Sequence, residues 1–128
     1  MQYSLEELSA VTALGLFASA IDGDIDEKEL QLIFSHLGTF TDDKYLRRQL
    51  LKDAGNIPFI EAAAVINCMD YDQKRHFAAF IGSIILADGK LTDEELEYWK
   101  NLSAATNLPV MTIQEAAEIF LSNMLVNL

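Results

Sequence analysis

Four times this sequence sets Ser, Thr or Asp three positions ahead of Glu, directly before an apolar, helix-periodic stretch: Ser4/Glu7, Asp26/Glu29, Thr92/Glu95 and Thr112/Glu115. That spacing satisfies two orphan backbone N–H groups reciprocally, so each pair predicts a helix start. Leu5, Leu8, Val11, Leu14 and Ala18 repeat with the helical period and carry the first helix to about Ile21. The second runs to about Leu37, with Gly38 as its stop. Thr41, followed by Asp42 and Asp43, starts a third that ends near Gly55. Pro58 at a first-turn position predicts a fourth, to about Cys68. Asp70 precedes a fifth, running to Ala87 and apolar on nearly every face in its second half, as a central buried helix would be. The sixth ends near Ala105, and Thr112 opens a seventh. The expectation is an all-α fold: a compact bundle of about seven helices in a single domain over residues 1–128.

Composition limits what such a bundle can do. Twenty acidic against nine basic side chains give a formal net charge of −11, which repels phosphate backbones and argues against nucleic acid. Divalent cations or a basic protein surface are the natural complements. The one cysteine, Cys68, cannot form an internal disulfide and fits a reducing compartment, so a cytoplasmic protein is expected. No Lys or Arg precedes the apolar stretch Leu8 to Ile21, so it reads as a helix and not a leader. The longest strongly apolar run, Phe77 to Ala87, is too short to span a membrane.

An internal repeat adds a constraint. Offset by 66 residues, Asp22-Gly23-Asp24-Ile25-Asp26 with Glu29-Leu30 aligns with Asp88-Gly89-Lys90-Leu91-Thr92 with Glu95-Leu96. Each copy follows an apolar helix and opens a shorter amphipathic one. This predicts two long helices, first and fifth, side by side with pseudo-twofold symmetry and their acidic turns near each other. Most of the motif has a local explanation. Gly23 and Gly89 are turn-forming residues that supply a positive φ, and Ile25 and Leu91 pin the turns to the core. Asp26 and Thr92 cap the next helix, and Glu29 and Glu95 complete the boxes.

Asp22 and Asp88 lie at helix C-termini, where the dipole disfavours an anion by up to about 1 kcal/mol. Three things could offset that cost: an Asx-type hydrogen bond to a backbone N–H two or three residues on, a bound cation shared with Glu29 or Glu95, or a basic side chain of a partner. The candidate metal set is Asp22, Asp24, Asp26, Glu29, Asp88 and Glu95. A true EF-hand is not expected, because its first and third ligand places fall on Ala18 and Ala20 in one copy and on Ile84 and Leu86 in the other; a weaker site pooling carboxylates from both turns stays open. Any cofactor is therefore a weakly held divalent cation.

An apolar helix running into Ala-x-Asp-Gly-x-Ile-x-x-x-Glu, repeated half a chain later, resembles the TerB-like domain of the tellurite-resistance proteins. Residues 17–29 carry the first copy and residues 85–95 the second. The resemblance implies an all-helical fold of about seven helices and a non-enzymatic role in tellurite and chemical stress. It also implies metal binding through the acidic residues and a membrane-protein partner; related domains occur attached to J-domain co-chaperones. Lys90 and Thr92 stand where the first copy has Asp24 and Asp26, so the second turn is less acidic.

Other chemistry is sparse. His36 and His76 lie 40 residues apart and Cys68 has no metal-ligand spacing around it, so zinc is poorly supported. His76 is expected to be partly exposed, and Cys68 to be a small buried hydrophobe. Lys44, Arg48 and Lys52 share a helical stripe with Arg47 adjacent, a candidate patch for an acidic tail or lipid headgroups. Of Tyr98 and Trp99, which face different sides of one helix, at least one should be core. The function expected is a stress-response or protein-interaction module. Its rival is a metal-assisted hydrolase using Asp22, Asp88, Glu29 and Glu95 to hold the ion that activates water.

Overall fold

The computed structural model describes residues 2–126; residues 1, 127 and 128 of the expected domain lie outside that range. Seven α-helices follow one another: α1 Leu5–Ser19, α2 Glu27–His36, α3 Lys44–Asp53, α4 Phe59–Asn67, α5 Tyr71–Ile85, α6 Asp93–Thr106 and α7 Ile113–Val126. No strand occurs among the described residues. The capping boxes are made as their spacing predicts at Ser4, Asp26 and Thr92, with a further box at Asp70 and Gln73. Thr112 and Glu115 exchange the same pair of hydrogen bonds.

α1 and α5 are the central elements, and they pack against each other. Leu8, Val11, Ala13 and Leu14 of α1 are buried, as are all residues from His76 to Gly82 on α5. Fully burying a side chain such as Phe77 or Phe80 stabilises the fold by roughly 1.5–3 kcal/mol. α4 lies on α1, α6 on α4, and α7 along α5, while α2 reaches α1, α3 and α5. Two buried hydroxyls stay inside their own helices: Thr12 donates to the Leu8 carbonyl at 2.8 Å and Thr106 to that of Leu102 at 2.7 Å.

Several local expectations are corrected. α2 ends at His36 and Gly38 lies inside the 3₁₀ turn Leu37–Thr39 that continues it. A Cβ at Gly38 would lie 3.1 Å from Arg47 Nη1, so the glycine makes room for that guanidinium. Asp43, not Thr41, caps α3, and Pro58 is the N-cap of α4 rather than its first residue. α5 ends at Ile85, two residues short of the expected Ala87. α6 ends on Asn107 in the left-handed conformation (φ 53°, ψ 52°), which Asn adopts more readily than most residues.

Candidate functional site

The two Asp-Gly turns are built alike. Ala20 caps α1, and Gly23 N–H donates to the Ala20 carbonyl at 3.0 Å; Leu86 caps α5, and Gly89 N–H donates to the Leu86 carbonyl at 3.0 Å. Gly23 (φ +130°) and Gly89 (φ +76°) both hold the positive φ that the sequence predicts. After each turn the chain enters a capped helix. Asp26 accepts from Glu29 N–H at 2.8 Å and Glu29 from Asp26 N–H at 3.1 Å. Thr92 accepts from Glu95 N–H at 3.1 Å and Glu95 from Thr92 N–H at 2.9 Å.

Because α1 and α5 are neighbours whose C-terminal ends lie at one end of the pair, the turns meet. Between them is a cleft of about 310 Å³ lined by Ala18, Ser19, Asp22, Asp26, Glu29, Leu32, Ile84, Ile85, Ala87, Asp88 and Glu95. Five of the six candidate acids line it; Asp24 does not. The floor is apolar, and neither Lys28 nor Lys90 is part of the lining. Five carboxylates around one concavity with no cation among them concentrate negative potential there. Glu95 is only 6% exposed, whereas Asp22, Asp26 and Asp88 are open to solvent.

The offset that costs an anion at a helix C-terminus differs between the copies. Asp88 Oδ1 accepts from Lys90 N–H at 3.0 Å, the Asx-type bond anticipated for both. Asp22 makes no side-chain hydrogen bond among the described residues. Carboxylate oxygens suit hard cations such as calcium and magnesium. Yet among the described residues no three His, Cys, Asp or Glu side chains converge closely enough to hold a metal ion. The cleft is acidic without being a preformed coordination sphere.

Comparison with protein-family models and with curated proteins returns no match. Among solved structures, the crystal structure of a protein of unknown function from Porphyromonas gingivalis W83 is similar, with a TM-score of 0.81 and 30% identity over 94% of this chain and 91% of that one. The two chains belong to one family. The overall fold is thus seen in a second member of the family, itself a protein of unknown function.

Other candidate residues fall elsewhere. Lys44, Arg48 and Lys52 are exposed on α3, but Arg47 leaves the proposed patch. It is 8% exposed, lies over the Phe34 ring at 4.7 Å and donates to the Phe34 and Asp42 carbonyls at 3.1 and 3.4 Å. Its apolar stem and planar cation are used to close the α2–α3 corner. Cys68 is exposed at the C-cap of α4, not buried. His76, expected to be partly exposed, is buried: Nδ1 lies 2.7 Å from Tyr3 Oη, Nε2 lies 2.9 Å from Thr39 Oγ1, and the ring stacks on Phe40 at 3.9 Å. Burial pushes its pKa down to about 4. His36 Nε2 lies 2.9 Å from Ser83 Oγ, Nδ1 has no hydrogen-bond partner among the described residues, and burial lowers this pKa also to about 4. Trp99 is the core aromatic; Tyr98 is half-buried and donates its hydroxyl to the Leu14 carbonyl at 2.9 Å, with burial raising its pKa.

The sequence reading missed Ser19 and the cleft floor. Their signal was present in the repeat: Ala18 and Ser19 align with Ile84 and Ile85, and all four line the cleft.

Proposed function

We propose that this chain is a non-enzymatic binding module of the TerB-like kind, acting in the cytoplasm in stress response or protein interaction. Its acidic cleft receives positive charge: a divalent cation held weakly, or the basic group of a protein partner. The observation that carries this reading is that both acidic turns of the repeat, 66 residues apart in sequence, line one cleft. Its polar lining consists of Ser19 and five carboxylates. That set supplies acceptors for a cation but no imidazole to serve as a base, which favours binding over the hydrolase alternative.

The test is titration of the isotope-labelled chain with calcium, magnesium and zinc, followed by amide NMR shifts. Binding in the range of roughly 10⁻⁴ to 10⁻³ M is expected, because ligands that do not already converge must reorganise around the ion. Amides of residues 20–30 should move more than those of 86–96, since the first turn carries more acids. If millimolar concentrations of all three ions leave both turns unmoved, cation binding is excluded.

A further inference from the structure

The first acidic turn borders a second depression on its other side. Leu16, Phe17 and Ala20 of α1, Ile25 of the turn and the Ala54–Gly55 segment line a groove of about 230 Å³ whose side chains carry no polar atom. That volume is below the roughly 300–1,000 Å³ of small-molecule sites and suits one large apolar side chain. Phe17 is 40% exposed, yet its position is fixed. Its ring meets Phe59 edge-on at 6.0 Å, Phe59 meets Tyr98 at 6.1 Å, and the Tyr98 hydroxyl is tied to the Leu14 carbonyl. An exposed aromatic held in this way loses little entropy when something packs against it.

The groove's rim is acidic. Asp24 is next to Ile25 and Asp53 next to Ala54 in the chain, and both are exposed; Asp22 and Asp26 line the neighbouring cleft. Asp22, Asp24 and Asp53 make no side-chain hydrogen bond or ion pair among the described residues. Lys28 and Lys52 offset only part of this charge. A second copy of the chain, at −11, would be repelled, as would nucleic acid and anionic lipid.

We propose that the Phe17 groove docks a basic segment of a partner protein. One Phe, Leu or Met of that segment packs between Phe17 and Ile25, while flanking lysines or arginines face Asp24 and Asp53. This rests on the reading of the chain as a binding module and adds the partner's chemistry and the place that holds it.

The isotope-labelled chain is titrated with a short lysine-rich peptide carrying one phenylalanine. Two control peptides carry alanine for the phenylalanine, or glutamates for the lysines. Shifts are expected at amides 13–25 and 54–55. Affinity should fall about tenfold with the alanine peptide and vanish with the glutamate one. Gly55→Leu should abolish binding without lowering the unfolding midpoint, because a Cβ there meets no atom within 4 Å. Asp24→Lys, at an exposed position away from the core, should weaken binding at least threefold. No shift at millimolar peptide, equal binding of the alanine peptide, or wild-type affinity in Gly55→Leu would overturn the groove. Peptide shifts confined to residues 84–95 would also overturn it while leaving the binding-module reading in place. Silence toward both peptide and divalent cations would remove that reading as well.

Discussion

Glu29 and Glu95 act identically: Oε1 of each accepts the N–H of its own helix's N-cap residue, Asp26 at 3.1 Å and Thr92 at 2.9 Å, and both side chains line one cleft. A capping interaction is worth about 1 kcal/mol, so these glutamates have a structural role whether or not anything binds. A cation recruiting them would have to share or displace the cap bonds, which keeps affinity low. Asp22 and Asp88 cap nothing, and they are the residues that separate binding from helix geometry.

Asp22→Asn should weaken the cation response of the cleft more than Asp88→Asn does. Asp88 already accepts at Oδ1 from Lys90 N–H at 3.0 Å, a bond an Asn carbonyl oxygen reproduces, whereas the Asp22 side chain makes no hydrogen bond among the described residues and sits in the more acidic turn. Calcium titrations of both variants by amide NMR decide this. Equal weakening, or a larger loss at Asp88, would show that the two turns contribute differently from the way their bonding implies.

The turn glycines should respond to substitution according to their backbone angles. Nothing lies within 4 Å of a Cβ at either position, so the cost of Ala is torsional and not steric crowding. At Gly89, φ +76° is near the left-handed region, and Ala should destabilise by about 1–2 kcal/mol. Asn there should cost less, since Asn tolerates that region. At Gly23, φ +130° lies outside it, so Asn should give no relief relative to Ala. Urea denaturation of the four variants tests the contrast; an Asn benefit at Gly23 equal to that at Gly89 would refute it.

Helix number and the starts marked by a capping box were legible because they depend on local chemistry. A capping box such as Thr92/Glu95 needs only residues three apart, and the structure forms it. The shared cleft was legible through the repeat, since equivalent turns end equivalent, adjacent helices. What the sequence could not show is which side chains are drawn inward by tertiary partners. Arg47 sits on a stripe that looks solvated, but Phe34 and two backbone carbonyls lie behind it. His76 has Arg75 and Phe77 beside it in the chain, while its burial depends on Tyr3, Thr39 and Phe40, distant in the chain. Cys68 follows an Ala-rich stretch, but the helix ends there and the side chain is exposed.

At Gly82 α5 comes close to α7. A Cβ there would lie 2.7 Å from Ala116 Cβ and 3.0 Å from both Ala117 N and the Ile113 carbonyl oxygen. Ala is favoured over Gly in a helix by about 1 kcal/mol, but contacts with backbone force the helices apart, and overpacking costs about 1–3 kcal/mol. Gly82→Ala should therefore be net destabilising. At Gly15 the nearest atoms, at 2.9 Å and beyond, belong to the Phe80 and Ile84 side chains, which can shift, so Gly15→Ala should cost less. Denaturation midpoints in the reverse order would show that α7 moves more easily than the Phe80 ring.

Acid should destabilise the fold through its two histidines, His76 buried and His36 half-buried. Each has a folded pKa near 4 against 6.5 for the free side chain, because burial disfavours the cation. Between those values the unfolded chain binds more protons than the folded one, so stability is complete above about pH 6.5 and declines as pH falls toward 4. His36 faces the clearer conflict. Its neutral form can donate from Nε2 to Ser83 Oγ and leave only a lone pair at Nδ1, whereas the imidazolium would place an unpartnered N–H in a buried position. His76 has a hydroxyl at each nitrogen, so protonation there costs desolvation more than a lost bond. The comparison is made between chains, so that every group other than the substituted histidine is held in common. The wild type should lose more stability between pH 7 and about pH 5 than His36→Gln or His76→Gln, measured as urea midpoints at each pH. Imidazole NMR signals that titrate near 6.5 in the folded protein would sink the prediction.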